Sequence, residues 1–270
     1  MANSSSVSPK PASLGPLLIG AALGGIFWLV IGHILLFQFV GVQWVVGPEN
    51  VSSPASVPIM LRSMQHWINL FTLMAFGAAL ASLAARWRFV NVQSQKIDES
   101  MLSPDDQTLL LPEDALQLRQ AMNQPNQTDP SMINLLLGTA LQRARANWSA
   151  EDVSAALESH AEIIQAETES QYATIRYLAW AIPSIGFVGT VMGIGEAMGV
   201  FGQDAEGESL ISAAAGHLST AFDTTFVALV LSLILMYFVH RVQADEDSLL
   251  VRVLEACMKR FVHRMHIKKE

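Results

Sequence analysis

Four long apolar stretches divide the chain, with polar sequence between them. The stretches at 17–40, 67–85 and 177–195 carry no charged residue, and the stretch at 213–239 carries one, Asp223. A bilayer core about 30 Å thick needs roughly 20 apolar helical residues, at about 1.5 Å per residue. The pattern therefore predicts four membrane-spanning helices.

The polar segments predict how the rest of the chain is arranged. Ser149, followed by Glu151 and Asp152, is typical of a helix start, and a charged helix is expected to continue from there into the third span without interruption. After Arg241, apolar residues at helical spacing predict an amphipathic helix that packs on the helices of 131–176. The predicted fold is an all-α integral membrane protein, with four transmembrane helices and a cytoplasmic helical bundle formed by the 86–176 stretch and the C-terminal helix. The predicted order is a disordered tail at 1–16, the first span at 17–40, an outer loop at 41–66, the second span at 67–85, a cytoplasmic helical region at 86–176, the third span at 177–200, an acidic outer loop at 201–212, the fourth span at 213–239 and a cytoplasmic amphipathic helix at 240–270.

Lys and Arg predict the orientation of the spans. The loop at 41–66 holds only Arg62, and the loop at 201–212 holds no basic residue. Basic residues instead flank the other ends of the last three spans, at Arg86, Arg88, Arg176 and Arg241. By the positive-inside rule, both termini and the 86–176 region are expected in the cytoplasm.

Composition narrows the function classes. The chain is 51% hydrophobic and 15% charged, which agrees with a membrane protein, and its net charge of −8 argues against a nucleic-acid partner. The single Cys257 excludes an internal disulfide. No phosphate loop, nucleophile elbow, zinc spacing or pair of catalytic carboxylates is present. We therefore expect no enzyme activity, no metal site and no cofactor, and lipid as a surrounding partner.

The third span carries small residues at helical spacing. Gly186, Thr190, Gly193 and Ala197 fall on one face, and Gly189 with Gly193 forms a G-x-x-x-G pair. Such residues let two helices approach closely in lipid. Either the glycines serve helix packing alone, or they also let the helix flex beside an ion path, and Pro183 predicts a kink near the cytoplasmic entry of the helix.

The fourth span offers a matching face of Ala221, Thr225, Ala228 and Ser232. A threonine inside a membrane often returns its hydroxyl to the backbone carbonyl one turn earlier. Alternatively, Thr190 and Thr225 together line a narrow polar path between subunits. Both interpretations stay open from the sequence.

Carboxylates near these faces are the remaining candidates. Asp223 at a helix centre costs roughly 2.5–3.5 kcal/mol on insertion scales, so it is expected either to function or to hold its proton and bond to Thr220 or Thr224. It points about 200° away from Thr225, so the two cannot face one narrow pore. Glu196 and the acidic loop, with Asp204, Glu206 and Glu208, either concentrate cations at an outer entrance or form a solvated loop.

Two segments carry a family resemblance. The sequence "IPSIGFVGTVMGIGEAM" at 182–198, followed by "AFDTTFVALVLSL" at 221–233, resembles the MotA/TolQ/ExbB proton-channel superfamily. The family motif P-x-x-G-x-x-G-T-v-x-G-I falls on Pro183, Gly186, Gly189, Thr190, Gly193 and Ile194, and the fourth-span threonine best matches Thr225. The resemblance covers about 150–245, and two spans before the cytoplasmic stretch are closest to the MotA layout.

The resemblance implies an assembly and a mechanism. Five subunits would surround two copies of a small single-span protein similar to MotB, ExbD or TolR, whose membrane aspartate carries the ion. Thr190 and Thr225 would lie near that aspartate, and Thr224 and Asp223 would also border the ion path. Ion flow, of H⁺ or Na⁺, would then drive mechanical work in the envelope from the bacterial inner membrane, as a stator does.

This sequence departs from the family in three places. Members with the ExbB pattern carry a glutamate five residues before the fourth-span threonine, where this chain has Thr220, and Asp223 follows one turn later. The second proline of MotA and its charged rotor-contact pattern are not found. Two other functions stay open: a non-conducting scaffold of an envelope or defence complex, and a small proton-coupled transporter that uses Asp223.

Overall fold

The computed structural model describes residues 14–30, 67–98, 131–201 and 207–265. These ranges fold into helices and contain no β-strand. The helices are α1 (Leu14–Leu29), α2 (Trp67–Asp98), α3 (Met132–Ala146), α4 (Ala150–Val200) and α5 (Glu208–Arg260), followed by a 3₁₀ turn at Val262–Arg264.

Three of these helices, α2, α4 and α5, are long and apolar enough to cross a membrane. Helix α1 is apolar but has 16 residues, and residues 31–40 of the predicted first span lie outside the described residues. The chain is therefore a multi-pass membrane protein. Several other predicted segments also lie outside the described residues, wholly or in part: the N-terminal tail to residue 13, the loop at 41–66, the stretch at 99–130, residues 202–206 of the acidic loop and residues 266–270.

The chain divides into two compact units, and α2, α4 and α5 contribute residues to both. The apolar unit comprises Ala12–Ala84 and Thr174–His240. In it, α1 and α2 cross with almost no space between their backbones. A Cβ atom added at Gly24 would collide with the Leu73 carbonyl, and one added at Gly77 would collide with the Gly20 carbonyl. This crossing is a second close helix contact, which the sequence pattern did not predict.

The outer surface of the apolar unit is covered by large apolar side chains. Phe187, Phe222, Leu233 and Trp180 are each exposed in the single chain. An apolar surface of this extent is unstable in water and marks contact with lipid or other protein. The surface therefore fits the membrane assignment that length and hydropathy give.

The second unit, called the tail unit, comprises the described residues within Ala85–Ala173 and Arg241–Glu270. Its core joins α3 to the first half of α4 and the second half of α5, and it also takes in Val90 and Ile97 of α2. The apolar stripe predicted after Arg241 lies in this core. Its fully buried members include Leu249, Val253, Cys257 and Phe261.

Side-chain caps begin the helices of the tail unit. The Ser131 hydroxyl accepts a hydrogen bond from the Asn134 backbone N–H at 3.2 Å, and Ser149 accepts one from Asp152 N–H at 3.3 Å. Each cap satisfies one of the backbone donors that a helix start leaves unpaired. From this start α4 runs for 51 residues, so the predicted uninterrupted helix is confirmed.

Candidate functional site

The candidate site is the contact line between α4 and α5 inside the apolar unit, called the α4–α5 seam. Glycines of α4 set its spacing. A Cβ atom added at Gly186 would lie 2.5 Å from the Ala228 side chain, and one added at Gly193 would lie 2.6 Å from that of Ala221. At Gly189 the added atom would collide with the Thr224 hydroxyl. Glycine is therefore what permits this approach at all three positions.

Thr190 and Thr225 meet at the middle of the seam. Their hydroxyl oxygens hydrogen-bond to each other, and either one can be the donor. Thr190 also has the Ala221 carbonyl oxygen as an acceptor at 3.3 Å, and Thr225 has the Gly186 carbonyl oxygen at 2.8 Å. Both of these carbonyls belong to the opposite helix. Thr225 also reaches the Ala221 carbonyl one turn earlier in its own helix, at 3.3 Å, and the polar path between subunits stays a prediction.

The threonine pair keeps access to its surroundings. Both side chains are only half-buried in the single chain. Each hydroxyl has one proton and two lone pairs, so the pair can accept a further hydrogen bond while it donates its own. Chemically, the pair can receive a protonated carboxyl group or a hydrated cation at the edge of the seam.

Asp223 lies elsewhere on α5. It is 6% exposed, and Thr224 beside it is 1% exposed. The Thr224 hydroxyl donates to the Ala221 carbonyl at 2.9 Å, and the Thr220 hydroxyl donates to the Gly216 carbonyl at 3.2 Å. The neighbouring threonines predicted as partners of Asp223 thus direct their own protons to the backbone. Asp223 is buried within the apolar unit, whereas Thr225 is half-buried on the seam.

The two ends of the seam carry further polar contacts. At one end, Glu196 Oε2 lies 3.1 Å from His217 Nδ1. Toward the other end, the Ser232 hydroxyl donates to the Ala179 carbonyl at 3.0 Å. Pro183 lies inside α4, which remains one helix through this position. Glu196 was a candidate from the sequence, but its pairing with His217 was not predicted, because the two are 21 positions apart on different helices.

The tail unit contains a buried ion pair that sequence reasoning missed. Arg86 Nη2 donates to Glu246 Oε1 at 2.8 Å, and Arg86 Nε donates to Oε2 at 3.1 Å. Tyr172 donates its hydroxyl to Glu246 Oε2 at 3.0 Å, and its ring centre lies 4.2 Å from the Arg86 guanidinium carbon. Gln171 accepts a hydrogen bond from Arg86 Nη1 at 2.7 Å.

Metal ligands are not grouped in the part of the chain that the structure describes. No set of three His, Cys, Asp or Glu side chains there could hold an ion. The polar chemistry of the seam thus rests on hydroxyls, backbone carbonyls and the Glu196–His217 pair.

Comparison with known proteins supports the resemblance. Residues 128–255 match the model of the MotA/TolQ/ExbB proton channel family, so the resemblance predicted from the sequence is confirmed over this part of the chain. The matched region includes the whole α4–α5 seam and most of the tail-unit core. Neither the curated proteins nor the solved structures gave a match.

Proposed function

We propose that this chain, which matches the MotA/TolQ/ExbB proton channel family over residues 128–255, is the channel-lining subunit of an ion-driven machine in the bacterial inner membrane. The observation that carries the proposal is the contact of Thr190 with Thr225 on the α4–α5 seam. These are the two threonines that the family resemblance assigns to the ion path.

The assembly is proposed from the resemblance and is consistent with the exposed surface. Five copies would surround two copies of a small single-span protein that carries a membrane aspartate. The half-buried threonine pair and the exposed apolar side chains of α4 and α5 leave surface for such neighbours. A charge that falls through 100 mV releases about 2.3 kcal/mol, which is enough to move a carboxyl group inside the membrane between two states. The ring would convert that energy into mechanical work on the envelope.

In this mechanism the hydroxyl pair binds the ion-carrying carboxyl group of the partner. A protonated carboxyl needs an acceptor for its proton, and a hydroxyl oxygen supplies one. A carboxylate needs donors, and a hydroxyl can rotate to supply one. The same pair therefore serves both protonation states, at a position fixed by the carbonyls of Ala221 and Gly186.

Replacement of both threonines by valine tests the proposal. In the complex purified from its own host membrane, Thr190→Val with Thr225→Val should abolish ion flux in reconstituted vesicles while the subunit composition by native mass spectrometry stays unchanged. The matched control is Thr220→Val, since the Thr220 hydroxyl donates within its own helix, to the Gly216 carbonyl. Normal flux in the double variant would refute the assignment of the ion path to this pair.

A second candidate function rests on Asp223. A buried carboxyl group in the middle of an apolar helix is expected of a proton-coupled transporter that works without a partner. That function predicts that Asp223→Asn abolishes substrate-dependent proton uptake by the chain alone, and that the threonine double variant keeps it.

A further inference from the structure

Titratable side chains are rare in the described part of the apolar unit. They are Arg176, Tyr177, Glu196, Glu208, His217, Asp223, Tyr237 and His240. Two of them, Glu196 of α4 and His217 of α5, meet across the α4–α5 seam, with 3.1 Å between Oε2 and Nδ1. Helices α1 and α2 contribute no titratable residue to the described part of this unit.

We propose that the Glu196–His217 pair is the site where protons enter the ion path from the outer solution. The inference rests on the proposed function and adds a residue, His217, to which nothing in the family resemblance gives a role. In this role the pair takes a proton from outer water and passes it into the seam.

The geometry fixes which ring nitrogen does this. An ionised Glu196 only accepts hydrogen bonds, so in that state the proton that points at Oε2 is carried by His217 Nδ1. The basic nitrogen of the ring is then Nε2. A proton from outer water adds to Nε2, and the imidazolium formed is stabilised by the adjacent carboxylate. That proton then leaves Nε2 and passes, through water in the ion path, to the membrane carboxylate of the partner, which returns the pair to its starting state.

The pair lies on the same helix face as the threonines. His217, Ala221 and Thr225 follow one another at intervals of four residues, so about 12 Å of helix separates the histidine from Thr225. The His217 backbone is part of the seam, because a Cβ atom added at Gly193 would lie 3.0 Å from its carbonyl oxygen. The pair therefore occupies one end of the polar line whose middle is the threonine contact.

Access decides between this pair and Asp223 as the proton entry. The side chains of His217 and Glu196 are 28% and 48% exposed, whereas Asp223 is 6% exposed. A group that loads protons from solution must also lie near the end of a span, and Glu196 is four residues from the end of α4. By the charge distribution of the loops, this end of the seam faces outward.

Few other charges act on the pair. On α4 the other charged residue of the apolar unit is Arg176, about 30 Å of helix away. On α5 the charged neighbours are Glu208, nine positions before His217, and Asp223, six positions after it and on the buried side. Asp204 and Glu206 lie outside the described residues. Among the described residues, the Glu196 carboxylate is therefore the charged group in contact with this ring.

The test measures proton flux against outer pH, in vesicles that contain the full chain and its partner purified together from the host membrane. His217→Gln should lower flux about tenfold or more, since loss of a positioned proton acceptor commonly costs a factor of at least that size. Glu196→Gln should lower flux by a smaller factor, because the imidazolium formed on His217 loses its carboxylate partner. The matched controls are His240→Gln and Glu167→Gln, both at exposed positions away from this end of the seam, which should behave as wild type.

The outcomes separate this inference from the proposed function. The first outcome is that His217→Gln and Glu196→Gln both keep wild-type flux while the threonine double variant has none. That result would refute the entry site and leave the proposed function intact. Absence of flux in the wild-type complex would refute both. If His217→Gln fails to assemble, Glu196→Gln decides alone, since its amide oxygen can still accept the Nδ1 proton and keep the geometry. Wild-type flux there would mean that the contact is structural only.

Discussion

Arg86 and Glu246 place two opposite charges in the interior of the tail unit. They are 6% and 3% exposed. Removing a guanidinium and a carboxylate from water costs several kcal/mol each, and only close geometry with further hydrogen bonds offsets that. Here that geometry is supplied by the hydrogen bonds from Arg86 to Glu246 and by further contacts. These are the Gln171 oxygen and the Tyr172 ring at Arg86, and the Tyr172 hydroxyl at Glu246.

Tyr172 stays neutral beside this pair. Burial raises the pKa of its phenol above the ordinary value, and the charge of Glu246 raises it further. The hydroxyl therefore keeps its proton and donates it to Glu246 at every pH that a cell experiences. The Glu246 carboxylate thus receives donors from two side chains.

At the residue scale we expect Arg86→Met to be strongly destabilising. Loss of one partner leaves a buried carboxylate without its counter-charge, which costs about 3–5 kcal/mol. Thermal or denaturant unfolding of the detergent-solubilised protein measures this change. Arg88→Met is the control, since Arg88 lies two residues further along α2 and is exposed.

The double variant Arg86→Met with Glu246→Met sharpens this prediction. A hydrophobic pair of similar volume is often as stable as a buried ion pair, so most of the lost stability should return. If Arg86→Met and Arg88→Met lower stability equally, or the double variant is worse than either single one, the ion pair is not what holds these helices together.

The sequence could not reveal this pair. Arg86 follows an apolar stretch. Basic residues at the ends of membrane spans are common, and they indicate the orientation of the span rather than a partner for the side chain. Its partner is 160 positions away, and neither helical spacing nor composition links the two. The contact between Glu196 and His217 was not predicted for the same reason, although these residues are only 21 positions apart.

At the element scale, the α4–α5 seam has little tolerance for added atoms. Gly186→Ala would gain up to about 1 kcal/mol of helix propensity. The added Cβ, 2.5 Å from the Ala228 side chain and 3.2 Å from the Thr225 Cα, should cost about 1–3 kcal/mol through overpacking. We therefore expect net destabilisation, and loss of ion flux because the Thr190–Thr225 contact opens.

Gly199→Ala is the matched control for this prediction. It is in the same helix, and an added Cβ there meets nothing within 4 Å. Its unfolding temperature should stay equal or rise slightly. Equal effects of the two substitutions would show that α4 and α5 are not in close contact at Gly186.

The seam was the most predictable part of the fold. The spacing of small residues at Gly186 and Gly193 on α4, and at Ala221 and Ala228 on α5, indicates a close contact because lipid gives no other reason to place them on one face. The great length of α5 was less apparent, although no Gly or Pro interrupts it between residues 217 and 260. The crossing at Gly20, Gly24 and Gly77 was missed because alanines and glycines are spread around both helices.

At the scale of the whole molecule, orientation in the membrane is the property on which the proposals depend. The proposals take the Glu196–His217 pair to face outward, an expectation that rests on the distribution of Lys and Arg. The chain suits a direct test, since its one cysteine, Cys257, is buried and can be replaced by alanine.

In a Cys257→Ala background, single cysteines at exposed positions should report the side of the membrane. Glu208→Cys at the start of α5 should react with a membrane-impermeant maleimide in intact spheroplasts. Ser159→Cys and Ser248→Cys, both on exposed faces of the tail unit, should react only after the membrane is permeabilised. The reverse pattern would invert the molecule and move the proton entry to the cytoplasm. Reaction of all three from outside would mean that α4 and α5 do not cross the bilayer. That result would refute the channel proposal.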